Sequence, residues 1–182
     1  MFSKKAWSVA SLYLSILTIS ILFSSCTNKP TVNEAAIQAV VKNMLNAPNA
    51  DLIEARDEML EGFADNTQTV PIEMTQFNKK LEEMFADYFT EEAFQKKLKT
   101  SAFTEYHSFC EGKQHTIEVD SIDIEKNKKF KRNYDFIVHV RYGPLNGEKT
   151  PLDIKGSAQF GEEKGKISFL QIFGAELVSK VR

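Results

Sequence analysis

The apolar residues of this chain change their spacing at Gln114, and that change governs what it can fold into. Before it they recur at intervals of three and four, as on one face of a helix. After it they alternate, as on one face of a strand. Helical stripes followed by alternating runs specify an α+β chain, with helices laid over one face of an antiparallel sheet.

The first helix is predicted from Asn33 to Leu45, with Ile37, Val40, Val41, Met44 and Leu45 in one apolar stripe. Thr31 and Glu34 have capping-box spacing, and Asn33 is a competing cap. Ala47-Pro48-Asn49-Ala50 breaks this helix. Asp51 is predicted to cap a second helix that carries Leu52, Ala55, Met59 and Phe63 inward to about Ala64. A polar connection follows from Asp65 to Pro71. The third helix is predicted from Glu73 to Tyr88, with Phe77, Leu81, Met84, Phe85 and Tyr88 on one side. Thr90 reads as the cap of a short fourth helix that turns Ala93, Phe94 and Leu98 inward, with Phe103 beneath its end.

Beyond Gln114, Ile117 and Val119 alternate with polar neighbours, and Ile122 and Ile124 continue out of phase. One extra residue near Asp120-Ser121, a β-bulge, reconciles the two halves. Lys126 to Lys129 is a turn. Tyr134, Phe136, Val138, Val140 and Tyr142 then alternate with Asp135, Ile137, His139 and Arg141. Gly143 to Gly147 turns into a third run, Leu152, Ile154, Gly156, Ala158 and Phe160. Gly161 to Gly165 turns again. In the last run, Ile167 to Phe173, both registers are largely apolar, which predicts a strand buried on both faces. Short turns between successive strands make this a curved four-stranded antiparallel meander.

The N-terminus is of another kind. Lys4 and Lys5 precede an apolar stretch from Ala6 to Phe23, and Ser24-Ser25 stand before Cys26. A basic start, an apolar middle and small residues at the end are the parts of a signal peptide. An uncleaved anchor is the other reading, although Ser8, Ser11, Ser15, Thr18 and Ser20 dilute the stretch. The Leu22-Phe23-Ser24-Ser25-Cys26 ending resembles the lipobox of bacterial lipoproteins, with Phe23 where that pattern prefers Leu, Val or Ile. The resemblance implies diacylglycerol on the Cys26 sulfur, cleavage before Cys26, and residence on the extracytoplasmic side of a bacterial cell membrane. On this reading residues 1–25 are the signal peptide, 26–32 the lipidated cysteine and a short tether, and 33–182 a single α+β domain.

Without residues 1–25 the chain keeps 21 basic and 25 acidic residues, a net charge of about −4. That balance offers nucleic acid no general attraction. Of the two cysteines, Cys26 and Cys110, lipidation would leave Cys110 a lone thiol, so no internal disulfide supports the domain. Fourteen phenylalanines supply apolar surface for a core instead.

Helices followed by a long, bulged antiparallel meander resemble the NTF2-like superfamily, an α+β cone, over about Asn33 to Phe173. A cystatin-like sheet wrapped on a helix is the alternative, but it would need fewer helices. The NTF2-like resemblance implies a pocket between the sheet and the helices. It also implies either a binding domain or an isomerase or dehydratase working through a pocket acid or base.

The residues available to such a pocket are Tyr134, Tyr142, His139, Arg141 and Asp153. The tyrosines share the apolar register; His139, Arg141 and Asp153 occupy the opposite, polar one. His107, Cys110 and His115 have the spacing H-x2-C-x4-H, in the connection before the first strand. Imidazole and thiolate suit zinc, yet a fourth ligand is missing, and a polar loop with one buried cysteine is the plainer reading. A Cys-His nucleophile in the same stretch would need a base within hydrogen-bond reach. No residue pattern calls for a cofactor or a metal, and phosphate loops and Rossmann glycines are absent. Lys126, Lys128, Lys129, Lys131 and Arg132 crowd one hairpin. They suit a solvated turn, an acidic partner or anionic lipid. The expected function is a membrane-anchored, non-catalytic domain binding a small ligand or an envelope protein. An NTF2-like enzyme and an envelope structural protein are the alternatives.

Overall fold

Thr31 opens the first helix with a complete capping box. Its Oγ1 accepts the Glu34 N–H at 3.3 Å, and Glu34 Oε2 accepts the Thr31 N–H at 2.7 Å. The computed structural model describes residues 29–64 and 75–174. The leader, Cys26, the connection from Asp65 to Pro71 and the predicted helix start at Glu73 lie outside the described residues. From Thr31 onward the described residues belong to one compact unit.

Helix α1 spans Val32–Leu45 and buries Ala36, Ile37, Val40, Val41, Met44 and Leu45. Asn33 Nδ2 donates to the Tyr134 hydroxyl at 3.4 Å near its start. Past its end, Asn46 Oδ1 accepts the Val119 N–H at 2.8 Å, and Ala47 exchanges backbone hydrogen bonds with Ile117. The helix therefore runs along the sheet from one end of the strands towards the other.

Helix α2, Ala50–Ala64, begins one residue before its predicted cap. Asn49 caps it instead, its Oδ1 accepting the Leu52 N–H at 3.1 Å. Asp51 thus falls in the first turn, where its carboxylate suits the positive end of the helix. Helix α3, Gln76–Phe85, is capped by Thr75 and passes into a 3-10 turn at Ala86–Tyr88, so its α-helical part ends before Tyr88. Helix α4, Glu91–Lys99, takes the predicted Thr90 cap.

Helix α5, Glu105–Lys113, stands where the sequence suggested a connection. Its fully buried positions are His107 and Cys110. Neither belongs to the aliphatic set that marks a helical stripe, so the period was invisible there.

Phe103, between α4 and α5, organises the helical layer. Its ring stacks on Phe85 at 4.3 Å and meets Phe89 and Phe94 at 5.5 Å each. All four rings are buried. A fully buried phenylalanine contributes about 1.5–3 kcal/mol, and each aromatic pair about 0.5–1.5 more.

The strands are β1 His115–Lys126, β2 Asn133–Pro144, β3 Thr150–Phe160 and β4 Ile167–Ile172. They pair in sequence order, all antiparallel, as a four-stranded open sheet. Val119 faces Val140 while Ser121 faces His139, so Asp120 is the extra residue of the bulge. The bulge lets Ile117, Val119, Ile122 and Ile124 all face Tyr142, Val140, Val138 and Phe136 on the helix-covered side. Phe136 faces Gly156 across β2 and β3, and its ring occupies the space that a Cβ there would need.

β4 departs from expectation. Ile167 and Leu170 are buried, but Phe169 and Phe173 are 50% and 49% exposed. A register shift between Gln159 and Phe160 resets the alternation. Among the described residues helices cover only one side of the sheet, and Phe169 and Phe173 at this edge strand are left exposed.

Candidate binding face of the sheet

Alternation sends every second residue of β1, β2 and β3 away from the helices. On β2 these are Asp135, Ile137, His139 and Arg141. Register then decides their neighbours. Arg141 lies between Glu118 and Pro151, and His139 between Ser121 and Asp153. Ile137 lies between Asp123 and Lys155.

Two ionic clusters result. Arg141 Nε donates to Asp120 at 3.0 Å, and Arg141 Nη2 forms an ion pair with Glu118 at 3.0 Å. Lys149 also bonds Glu118. The Lys149 hydrogen bond, followed by the lysine and Arg141 charges, holds the Glu118 carboxyl below its ordinary range. One step along β2, His139 Nδ1 lies 2.7 Å from Asp153 Oδ1, and its Nε2 lies 3.2 Å from Asp123 Oδ2. Only the imidazolium donates from both nitrogens. Hydrogen bonds to Asp123 and then Asp153 accordingly raise the His139 pKa.

Beside this cluster is an open groove of about 550 Å3. Its outward-facing lining is Asp123, Glu125, Asp135, Ile137, Lys155 and Phe173. Ile137 and Phe173 make it apolar, while three carboxylates and one ammonium surround them. Asp123 belongs both to the groove and to the His139 pair. Groove and ion pair therefore share a charge.

The five residues considered for a single pocket divide between the two faces of the sheet. Tyr134 and Tyr142 are core residues, 4% and 8% exposed. Tyr134 packs edge-on against Phe160, and Tyr142 stacks between His115 and Phe109. His139, Arg141 and Asp153 are on the solvent side. The groove residues Ile137, Phe173 and Lys155 escaped the sequence reading. Ile137 carried a signal, being the one apolar residue in an otherwise polar register.

His107, Cys110 and His115 are not placed as ligands of one ion. Among the described residues, no three His, Cys, Asp or Glu side chains are placed to hold a metal. His107 Nε2 donates to the Asn43 carbonyl at 2.9 Å, and its Nδ1 accepts the Asn49 N–H at 3.1 Å. Burial lowers its pKa, against a smaller opposing contribution from Asn43. His115 Nδ1 bonds the Lys113 carbonyl. Cys110 is buried and free, and burial pushes its thiol up to about 11. Burial disfavours the Cys110 thiolate that a nucleophile needs, and both nitrogens of His107 are taken up by backbone groups.

The chain matches no protein-family model, no curated protein and no solved structure. Among the described residues no helix is long and apolar enough to cross a membrane.

Proposed function

We propose that this chain is an extracytoplasmic bacterial lipoprotein, held to the cell membrane by lipid on Cys26, whose sheet face binds a ligand. The groove beside Ile137 carries the binding part of this reading. Its apolar floor and excess of carboxylates suit a ligand with an apolar body and a cationic group, such as an amphiphilic amine or a basic segment of an envelope protein. The anchoring part rests on the Leu22–Cys26 ending. Two acyl chains hold stably where one does not.

The bulged meander under five helices among the described residues favours an NTF2-like architecture over a cystatin-like one. An isomerase or dehydratase finds less support. Tyr134 and Tyr142 sit in the core, away from the acids of the groove. Self-association as an envelope structural protein is the competing reading, favoured by exposed Phe169 and Phe173 at the β4 edge.

Three measurements test these readings. Detergent partition and intact mass of wild type and Cys26→Ala report the anchor; equal membrane retention with the leader attached overturns it. Thermal-shift screening of amphiphilic amines and basic peptides, repeated on Ile137→Lys, reports the groove. A stabilisation that survives in Ile137→Lys places binding elsewhere. Light scattering that finds oligomers lost in Phe169→Ser favours the structural role.

A further inference from the structure

The β1–β2 turn, Lys126 to Arg132, carries five basic residues, Lys126, Lys128, Lys129, Lys131 and Arg132, on either side of Phe130 in the sequence. Asn127 braces the turn. Its Oδ1 accepts the N–H groups of Lys129 and Phe130, and its own N–H donates to the Asn133 carbonyl. Asn133 N–H closes the loop on the Phe130 carbonyl. So braced, Phe130 does not fold back onto the core; it is 55% exposed, with the Lys129 ammonium 5.4 Å from its ring centre. Solubility explains lysines on a turn but not an exposed phenylalanine among them. A projecting aromatic on a basic turn is the combination that engages an anionic bilayer, the charges meeting headgroups and the ring entering the interface.

The position of the hairpin adds a second argument. Lys126 faces Tyr134 at this end of the sheet, and the Tyr134 hydroxyl bonds Asn33 in the first turn of α1. Gly165, in the β3–β4 turn, donates its N–H to Asn33 Oδ1 at 2.9 Å. The chain thus enters the folded unit at the end where this hairpin projects, and Val32 there is 63% exposed. Four residues, Thr27 to Pro30, separate Cys26 from Thr31. At about 3.5 Å per residue that tether spans at most about 18 Å. A lipid on Cys26 keeps this end of the sheet against the bilayer.

Acids near the hairpin leave part of its charge uncompensated. Glu125 pairs with Lys128 at 3.8 Å and Glu162 with Arg132 at 3.6 Å. Among the described residues, Lys126, Lys129 and Lys131 have no carboxylate within 4.0 Å.

We propose that the Lys126–Arg132 hairpin is a second membrane contact that docks on anionic phospholipid with Phe130 in the interface. Together with the anchor it orients the domain with the hairpin down and the Gly143–Gly147 turn away from the bilayer. This rests on the lipid-anchor reading above.

The test uses the full chain, purified from cells and reconstituted into vesicles of phosphatidylcholine with or without phosphatidylglycerol. The sole tryptophan, Trp7, lies in the leader, so Trp7→Phe with Phe130→Trp makes position 130 the reporter whether or not the leader is removed. A blue-shifted emission quenched by brominated phosphatidylglycerol, and relieved by Lys129→Glu with Lys131→Glu, is the expected result. In a chain that also carries Cys26→Ala, the same pair of charge reversals weakens binding to added vesicles by more than about fivefold per lysine. Trp7→Phe with Leu145→Trp reports the opposite end of the sheet and stays unquenched. Retention on the vesicles with an unshifted indole at position 130 overturns the inference and leaves the anchor standing. Equal quenching at 130 and 145, equal shifts in pure phosphatidylcholine, or shielding of position 130 by an acidic protein instead of lipid also overturns it. Release of wild-type chain from vesicles defeats the anchor reading. Quenching at position 130 on added anionic vesicles then still supports the hairpin contact, and its absence overturns it.

Discussion

His107 Nε2 lies 2.9 Å from the Asn43 carbonyl, tying α5 to the last turns of α1, while its other nitrogen holds the Asn49 N–H. One buried ring thus satisfies two backbone groups at the α1–α2 junction. His107→Ala leaves both unpartnered and opens a void. A buried orphan group costs about 1–3 kcal/mol, so the variant should lose about 2–4 kcal/mol in urea unfolding. His107→Gln, which keeps a donor and an acceptor, should lose less. Equal losses in the two variants would mean that volume, not hydrogen bonding, is what His107 supplies.

His107 and His139 should pull stability in opposite directions with pH. Burial lowers the His107 pKa, so the unfolded chain takes up that proton first. Its contribution is whole above the unfolded value near 6.5 and falls away as pH drops below it. Asp123 and Asp153 raise the His139 pKa. That contribution is whole below about 6.5 and is lost as pH rises through the folded value. NMR titration should find His139 above and His107 below the ordinary imidazole value of about 6.5. Asp153→Asn should bring His139 back towards it; an unmoved titration would show that Asp153 does not hold the ring in solution.

Gly156 admits the Phe136 ring because it has no Cβ, and the Gln171 carbonyl closes the same space. Gly156→Ala should cost about 1–3 kcal/mol through overpacking. Adding Phe136→Leu should recover part of that loss, since residues in contact couple. Strict additivity in the double-mutant cycle would contradict the contact.

Cys110 is fully buried, with its thiol pushed up to about 11 by burial. It should resist iodoacetamide at pH 8 in the folded chain and react on denaturation. Rapid native labelling at this residue would show that α5 opens from β1.

Phe103→Ala should cost about 3–5 kcal/mol, because three rings lose their common neighbour. Phe130→Ala removes a ring that lies outside the core and should change stability by less than about 0.5 kcal/mol.

The legible parts of this fold were those with a period. The phase break between Val119 and Ile122 located the bulge to Asp120-Ser121, because both halves had to face the same core, and strand register then singled out Asp120. Thr31 and Thr90 marked helix starts through their hydrogen-bonding chemistry. Helix α5 was hidden because its buried face is an imidazole and a thiol. The Asn49 cap was mistaken for Asp51 because both residue types cap equally well and lie two apart. Phe169 and Phe173 read as buried because hydrophobicity reports what a residue tolerates, not which side a helix covers.

The amino-acid sequence alone determined the α+β class, the order of the elements apart from α5, the region of the bulge, and the division of Tyr134 and Tyr142 from His139, Arg141 and Asp153. Those features follow from backbone geometry, which repeats every two or 3.6 residues and is local to each segment. Tertiary structure decided which side chains meet. Asp123, His139 and Asp153 come from three strands, and Ile137 joins Lys155 and Phe173 only through pairing register. The Asn33–Tyr134 bond likewise sets the Phe130 hairpin beside the start of α1 across about a hundred residues of chain. Such contacts depend on register and helix docking, which sum small energies over the whole core and leave no period in any one stretch.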